Sequence, residues 1–206
     1  LLIPIFNDWE SLNKLLENIN FNLPKLNFNI SLIVVNDASN EKNTHDLNKF
    51  ENIKSIKIIN LIKNIGHARS IATGLKYIFE KEEFDYVIPM DGDGEDRPEE
   101  INNFLNSVND NQNKVIVGER IKRSENLIFK FCYSVHKIIT YMFTGQSIKF
   151  GNYTCLPKST VEKMIDEEST WNSFSGSLSK IEEERIISPS IRGVRYFGPS
   201  KMSFYN

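Results

Sequence analysis

The sequence predicts an α/β chain built on a doubly wound, mainly parallel sheet, and three observations carry that prediction. Short β-rich runs alternate with helix-period segments through the first 120 residues. That alternation is the signature of strand–helix–strand units. The conspicuous polar residues fall where the apolar runs end, at the sheet edge where such folds bind ligands. With 206 residues the chain has the length of one domain and enough material for a sizeable core.

The elements follow in order. "LLIPIF" (1–6) opens as a strand, and a helix is expected from Asp8, with Asn7 and Glu10 spaced as a capping box. "ISLIVVN" (30–36) and "IKSIKIIN" (53–60) are the next two strands, and a second helix opens near Gly66. "FDYVIPMD" (84–91) is the fourth strand. A helix begins at Pro98, where proline is tolerated, with Asp96 as a solvated cap and Glu99 and Glu100 favoured by the helix dipole. "KVIVGER" (114–120) closes the alternating part.

Beyond residue 120 the rhythm changes to a long aromatic and basic helix over 126–143, a short "FGNYTCL" segment, a helix from about Ser159 and a tail punctuated by Gly and Pro. A single domain over 1–206 is expected, with a smaller, appended C-terminal part. The chain starts inside an apolar run without an initiator Met and is expected to be a fragment of a longer protein.

Charge and composition exclude several classes. Lys and Arg number 25 against 27 Asp and Glu, so no general attraction to nucleic acid is expected and any anion must be held by a local cluster. Cys132 and Cys155 are too few for a disulfide framework and lack zinc-like spacing. No stretch reaches the ~18 uninterrupted apolar residues of a spanning helix. The 126–143 segment suits the plane of a membrane surface, and packing against the sheet suits it equally well.

The chemistry concentrates in "MDGDGEDRPE" (90–99). Asp91 and Asp93 lie two apart at a strand end, so an extended backbone turns both to one face, with Gly92 and Gly94 leaving room for a bulky ligand. Carboxylates this close tolerate one another when a cation lies between them, and hard oxygen donors suit Mg²⁺ or Mn²⁺ completed by substrate phosphates. A calcium loop of the EF-hand type is excluded, because its sixth and twelfth positions would be Asp96 and Asn102 rather than Gly and Glu. Gly66 at a helix start and Arg69 just inside it suit a phosphate. Asp37 serves equally well as a turn residue or as a ligand.

Four motifs in order, "PIFND" (4–8), "VVNDAS" (34–39), "NIGHARSIATGL" (64–75) and "MDGDGEDRPE", resemble the inverting family 2 glycosyltransferases of the GT-A fold. The resemblance implies a Rossmann-like, mainly parallel sheet with a nucleotide-sugar-binding half (1–120) and an acceptor-side half (121–206). It implies that Asp91 and Asp93 are catalytic and that Asp91, Asp93 and Glu95 hold the metal, with Glu95 adding negative charge there. Pro4, Phe6, Asp8, Asn36, Asp37, Asn64, Arg69 and Asp91 would bind the nucleoside diphosphate sugar, of UDP or GDP type. Asn36 departs from the usual acidic pair.

"GER" (118–120), Lys130 with Ser134, and "RYFGPSK" (195–201) resemble the branch that transfers sugars to dolichyl or undecaprenyl phosphate. In that branch Arg120, Lys130, Ser134, Arg195 and Lys201 would bind the acceptor phosphate, at the cytoplasmic face of the cell membrane. Two departures stand out: Asn152, where an acid is common, and Glu95, where Gln is frequent. A glycan hydroxyl acceptor in cell-surface polysaccharide synthesis, or a binding module without turnover, are the alternatives.

Overall fold

A computed structural model describes residues 1–23, 28–120 and 150–199, and the fold is given for these. The strands are β1 (Leu2–Ile5), β2 (Ser31–Asn36), β3 (Ser55–Asn60), β4 (Tyr86–Val87), β5 (Val115–Arg120), β6 (Phe150–Pro157) and β7 (Arg185–Ser190). The helices are α1 (Trp9–Asn22), α2 (His67–Lys81), α3 (Ile101–Asp110), α4 (Lys158–Asp166) and α5 (Phe174–Ile181).

β1, β2 and β3 pair in parallel, in the order β1-β2-β3, and a second group runs β4-β6-β5-β7. The two groups join where Leu2 bridges Pro89: Leu2 N–H donates to Ile88 O and Met90 N–H donates to Leu2 O, each at 3.0 Å. The whole therefore reads β3-β2-β1-β4-β6-β5-β7. β6 is antiparallel to both its neighbours, whereas β5 and β7 are parallel.

Alternation along the strands sorts side chains into two layers. Ile3, Ile5, Leu32 and Val34 pack with Leu12, Leu15, Leu16 and Ile19 of α1 and with Phe104 of α3. Leu2, Ile33 and Val35 face the other way, onto Ile71, Leu75 and Ile78 of α2 and Val161, Met164 and Leu178 of α4 and α5. Burial on both faces is why β1 and the body of β2 are almost entirely apolar.

The expected alternation through β5 is present, with local corrections. Asn7 does not cap α1: the N-cap position is Asp8, without a side-chain cap bond, and Asn7 takes a positive φ of 50° with its side chain turned to another loop. Pro98–Glu100 forms a single 3-10 turn, and α3 starts only at Ile101. "FGNYTCLP" is a full central strand and "RIISPS" an edge strand that tolerates Pro189. Both are made by pairing with β5, distant in sequence, so no local pattern announces them. Among the described residues no helix is long and apolar enough to cross a membrane. The 126–143 helix, Cys132, Lys130, Ser134 and Lys201 lie outside the described residues.

Candidate functional site at the carboxyl edge of the sheet

Two loops frame the site, and the first is held by its own backbone. After β1, Asn7 Oδ1 accepts from the amides of Asn40 and Glu41 (2.8 and 3.2 Å), while the Asn7 amide donates to Ser39 Oγ. Trp9 Nε1 donates to Glu41 O, tying the start of α1 to the same loop. Asn36 Nδ2 donates to Asn60 Oδ1 at 2.8 Å and Asn36 Oδ1 accepts from the Ser39 amide. Asp37 is buried and accepts from the amides of Ile65 (2.8 Å) and Gly66 (2.9 Å), fixing the turn that leads into α2. Asparagine at position 36 thus bridges two strand ends, which a carboxylate facing Asn60 Oδ1 would not do. Pro4 is buried in β1, Phe6 and Asp8 are half-buried, and Asn64 and Arg69 stand exposed at the rim.

The second loop follows β4 and carries the acids. Asp91 N–H donates to Asp96 Oδ2 (2.9 Å), and Asp91 Oδ1 accepts from Asn152 Nδ2 (2.9 Å) with His67 Nε2 at 3.4 Å. Asp93 Oδ1 accepts from the Glu95 amide (2.9 Å), and Asp93 Oδ2 accepts from Arg195 Nη1 (2.6 Å). Arg195 also pairs with Asp8 through its other terminal nitrogen, and Arg192 pairs with Glu95.

Of three acids expected to be solvated, two sit otherwise. Asp96 is 3 % exposed, with Arg120 Nη2 at 3.5 Å; burial first, and then the charge on Asp91, pushes its carboxyl up to about 8. Glu100 is buried, accepting from Ser190 Oγ (2.7 Å) and the Ile191 amide (2.8 Å), so it anchors the end of β7. Glu99 alone stays outside, 3.6 Å from Arg97.

The glycines serve the protein's own packing. A Cβ on Gly92 would lie 3.0 Å from Ile5 Cγ2, so Gly92 seats the loop on β1. Gly94 has a φ of +91°, and a Cβ there would lie 2.5 Å from the Tyr196 ring.

Asp91, Asp93, Asp8 and Arg195 thus come together, and Asn152 and Arg120 join them. Asp91, Asp93 and Glu95 do not converge as one ligand set: Glu95 turns to Arg192, and among the described residues no three His, Cys, Asp or Glu side chains form a metal-binding group. Asp91 and Asp93 remain a pair of hard oxygen donors. Two carboxylates this close at a strand end have the donor chemistry for a divalent cation completed by ligand oxygens. Sequence reasoning missed Asp96 and Arg192. The only signal for Asp96 was its place in an acidic run too dense to be wholly solvated.

Comparison with known proteins places these features. Residues 1–168 match Glycosyl transferase family 2. The chain is 29 % identical over 215 aligned positions to the undecaprenyl-phosphate 4-deoxy-4-formamido-L-arabinose transferase of Proteus mirabilis, covering 98 % of this chain and 62 % of that protein. An uncharacterized glycosyltransferase of Synechocystis is 27 % identical over 144 positions, covering 69 % of this chain and 44 % of the other. The chain therefore spans less than two thirds of the length of these relatives. Among solved structures, a mannosyltransferase of Pyrobaculum calidifontis in complex with GDP-Man and Mn²⁺ superposes with a TM-score of 0.60 at 14 % identity, covering 92 % of this chain and 54 % of that one. TarS of S. aureus with UDP-GlcNAc gives 0.58 at 14 % identity, over 98 % of this chain and 58 % of TarS. These neighbours are glycosyltransferases of the GT-A fold, and the α/β sheet described above is that fold. With most of its length matched and its acidic loop at the sheet's carboxyl edge, the chain belongs to glycosyl transferase family 2.

Proposed function

We propose that this protein transfers a sugar, with inversion, from a UDP or GDP sugar to a polyprenyl phosphate at the cytoplasmic face of the cell membrane. The observation that carries the reading is the convergence of Asp8, Asp91 and Asp93 with Arg195 and Arg120 at one end of the sheet. The names of the relatives support the donor and acceptor classes: one acts with undecaprenyl phosphate, and two solved neighbours are complexes with nucleotide sugars.

In this reading Asp91 and Asp93 would hold Mg²⁺ or Mn²⁺, which neutralises charge developing on the leaving diphosphate when bound. The chain's own residues do the rest. Residues 1–120 form the donor half: the turn fixed by Asp37 shapes the nucleoside side, and the amino end of α2 with Arg69 faces phosphate. Asn152 orients Asp91 through its amide, and Arg120 offsets the buried Asp96. Residues 121–206 form the acceptor half, where Arg195, with Lys130, Ser134 and Lys201 and with Arg120 at its border, would meet the acceptor anion.

A phosphate acceptor is already ionised at neutral pH and needs no general base. Asn152 cannot serve as one. Three acids of the C-terminal half pair instead with surface lysines: Glu182 with Lys163, Glu184 with Lys114 and Glu167 with Lys180, each at 2.8 Å. The test is a nucleotide-sugar panel with the full-length protein and Mn²⁺ or Mg²⁺, with and without polyprenyl phosphate. Release of UDP or GDP that depends on the lipid is expected. Release that depends on a glycan instead, or none at all, overturns the acceptor or the reading as a whole.

A further inference from the structure

The segment after β7 lies across the acidic loop. Gly193 N–H donates to Glu95 O at 2.8 Å and Tyr196 N–H donates to Asp93 O at 2.9 Å. The backbones touch because both sides carry glycine: a Cβ on Gly193 would fall 2.2 Å from Gly94 O. The Tyr196 hydroxyl accepts from Asn18 Nδ2 of α1 at 2.8 Å, pinning the segment to the helix layer.

Its arginines take the acids of the site. Arg195 spans Asp93 and Asp8, and its Nε donates to Phe197 O at 3.0 Å, which fixes the guanidinium plane. The side chains of Arg195, Asp8 and Asp93 are only 14, 15 and 18 % exposed, so this ion pairing is shielded from water. Arg192 holds Glu95 from the outer side.

Little apolar burial backs these contacts. Val194 is 85 % exposed, and Ile191 and Phe197 also face solvent. Tyr196 alone packs against the core; the rest of the segment is held by ion pairs and by the amides of Ile191, Gly193 and Tyr196, with Val194, Ile191 and Phe197 outside, and segments with so little buried apolar surface belong to the low-stability end of a fold.

The Asp93 carboxylate already gives one oxygen to a guanidinium and the other to a backbone amide, so a dication there meets a charge that is partly neutralised and fewer free lone pairs. Two cations competing for the same carboxylates exclude one another, and by linkage each weakens the other's hold to the same degree.

We propose that residues 191–197 are an autoinhibitory strap in which Arg195 is the built-in counter-cation of the donor-site acids Asp8 and Asp93, displaced when a nucleoside diphosphate and a divalent cation bind. The proposal rests on the donor-site reading above. Displacement frees a guanidinium beside the incoming anion, so the segment becomes competent to meet an acceptor phosphate only after the donor is seated. The strap therefore imposes an order on binding.

The experiment is hydrogen exchange on the full-length protein, wild type and Arg195→Gln, with and without Mn²⁺ and UDP or GDP, alongside calorimetric Mn²⁺ titration. Arg195→Gln is expected to speed exchange across 191–197 at least tenfold without ligand and to tighten Mn²⁺ binding at least fivefold. In the wild type, Mn²⁺ with nucleotide is expected to speed exchange in the same peptide. If the wild type takes up Mn²⁺ and nucleotide but the segment's exchange is unchanged or slower, the strap is refuted and the donor site stands. Unchanged Mn²⁺ affinity in Arg195→Gln also refutes it. If neither protein takes up Mn²⁺ with either nucleotide, the donor reading falls and takes the strap with it.

Discussion

The loops after β2 and β4 both place aspartates at the same sheet edge, yet they satisfy them differently. Asp37 spends its two carboxylate oxygens on backbone amides of the neighbouring turn, partners that cannot leave without unfolding that turn. Asp91 and Asp93 are met by side chains from distant parts of the chain, Asn152 and Arg195, besides one loop amide. A side-chain cation can be exchanged for another cation, and a backbone amide cannot. The first loop is scaffold by this criterion, and the second is the one whose partners a ligand could exchange.

The largest expected effect tests that distinction at the second loop. Asp93→Ala should lower nucleotide release about a hundredfold or more, read in the lipid-dependent assay, because in the proposed reading it removes a carboxylate that would hold the cation opposite the leaving diphosphate. Its urea midpoint should move little, since Arg195 keeps Asp8 as a partner. A stability loss in place of a rate loss would make Asp93 scaffold as well.

Asp37→Ala should behave in the opposite way. It strands two amides in a half-buried turn, and at ~1–3 kcal/mol for each unsatisfied group the loss of unfolding free energy should be about 2–6 kcal/mol in denaturant titrations. Tyr153→Phe should cost about 1 kcal/mol by thermal unfolding, the net worth of the bond from its hydroxyl to Arg97 O, with the edge-to-face contact to Phe104 retained.

The smallest effect concerns Cys155, which sits in β6 away from either loop. Burial pushes its thiol up to about 12 from 9.0. A native thiol with a raised pKa keeps its proton where the unfolded chain loses it. Its contribution to stability is therefore complete below pH 9 and fades as pH rises toward 12. Iodoacetamide at pH 8 should leave Cys155 unlabelled in the native protein and label it after unfolding, as mass spectrometry of the β6 peptide would show.

Much of this was readable in order along the chain. The strands β1 to β5 follow from apolar runs, and the acids at Asp91 and Asp93 from a two-residue spacing that needs no tertiary information. Errors came where a residue's partner lay far off. Asn7 read as a cap because Glu10 is three residues away, but its side chain found the amides of Asn40 and Glu41. Asp96 and Glu100 read as solvated helix-start residues, and both proved buried once β5 and β7 closed over them.

Local sequence alone determined the alternation of strand and helix, the sheet edge at which polar residues gather, and which carboxylates could share a cation. Periodicity and spacing are short-range properties that survive in any fold. Only the tertiary structure decided that β6 runs antiparallel through the middle of the sheet, that Asn152 reaches Asp91, and that Arg195 lies between Asp8 and Asp93. Those contacts join residues 61, 102 and 187 positions apart. At such separations the geometry is set by how the layers close on each other, which no window of neighbouring residues encodes.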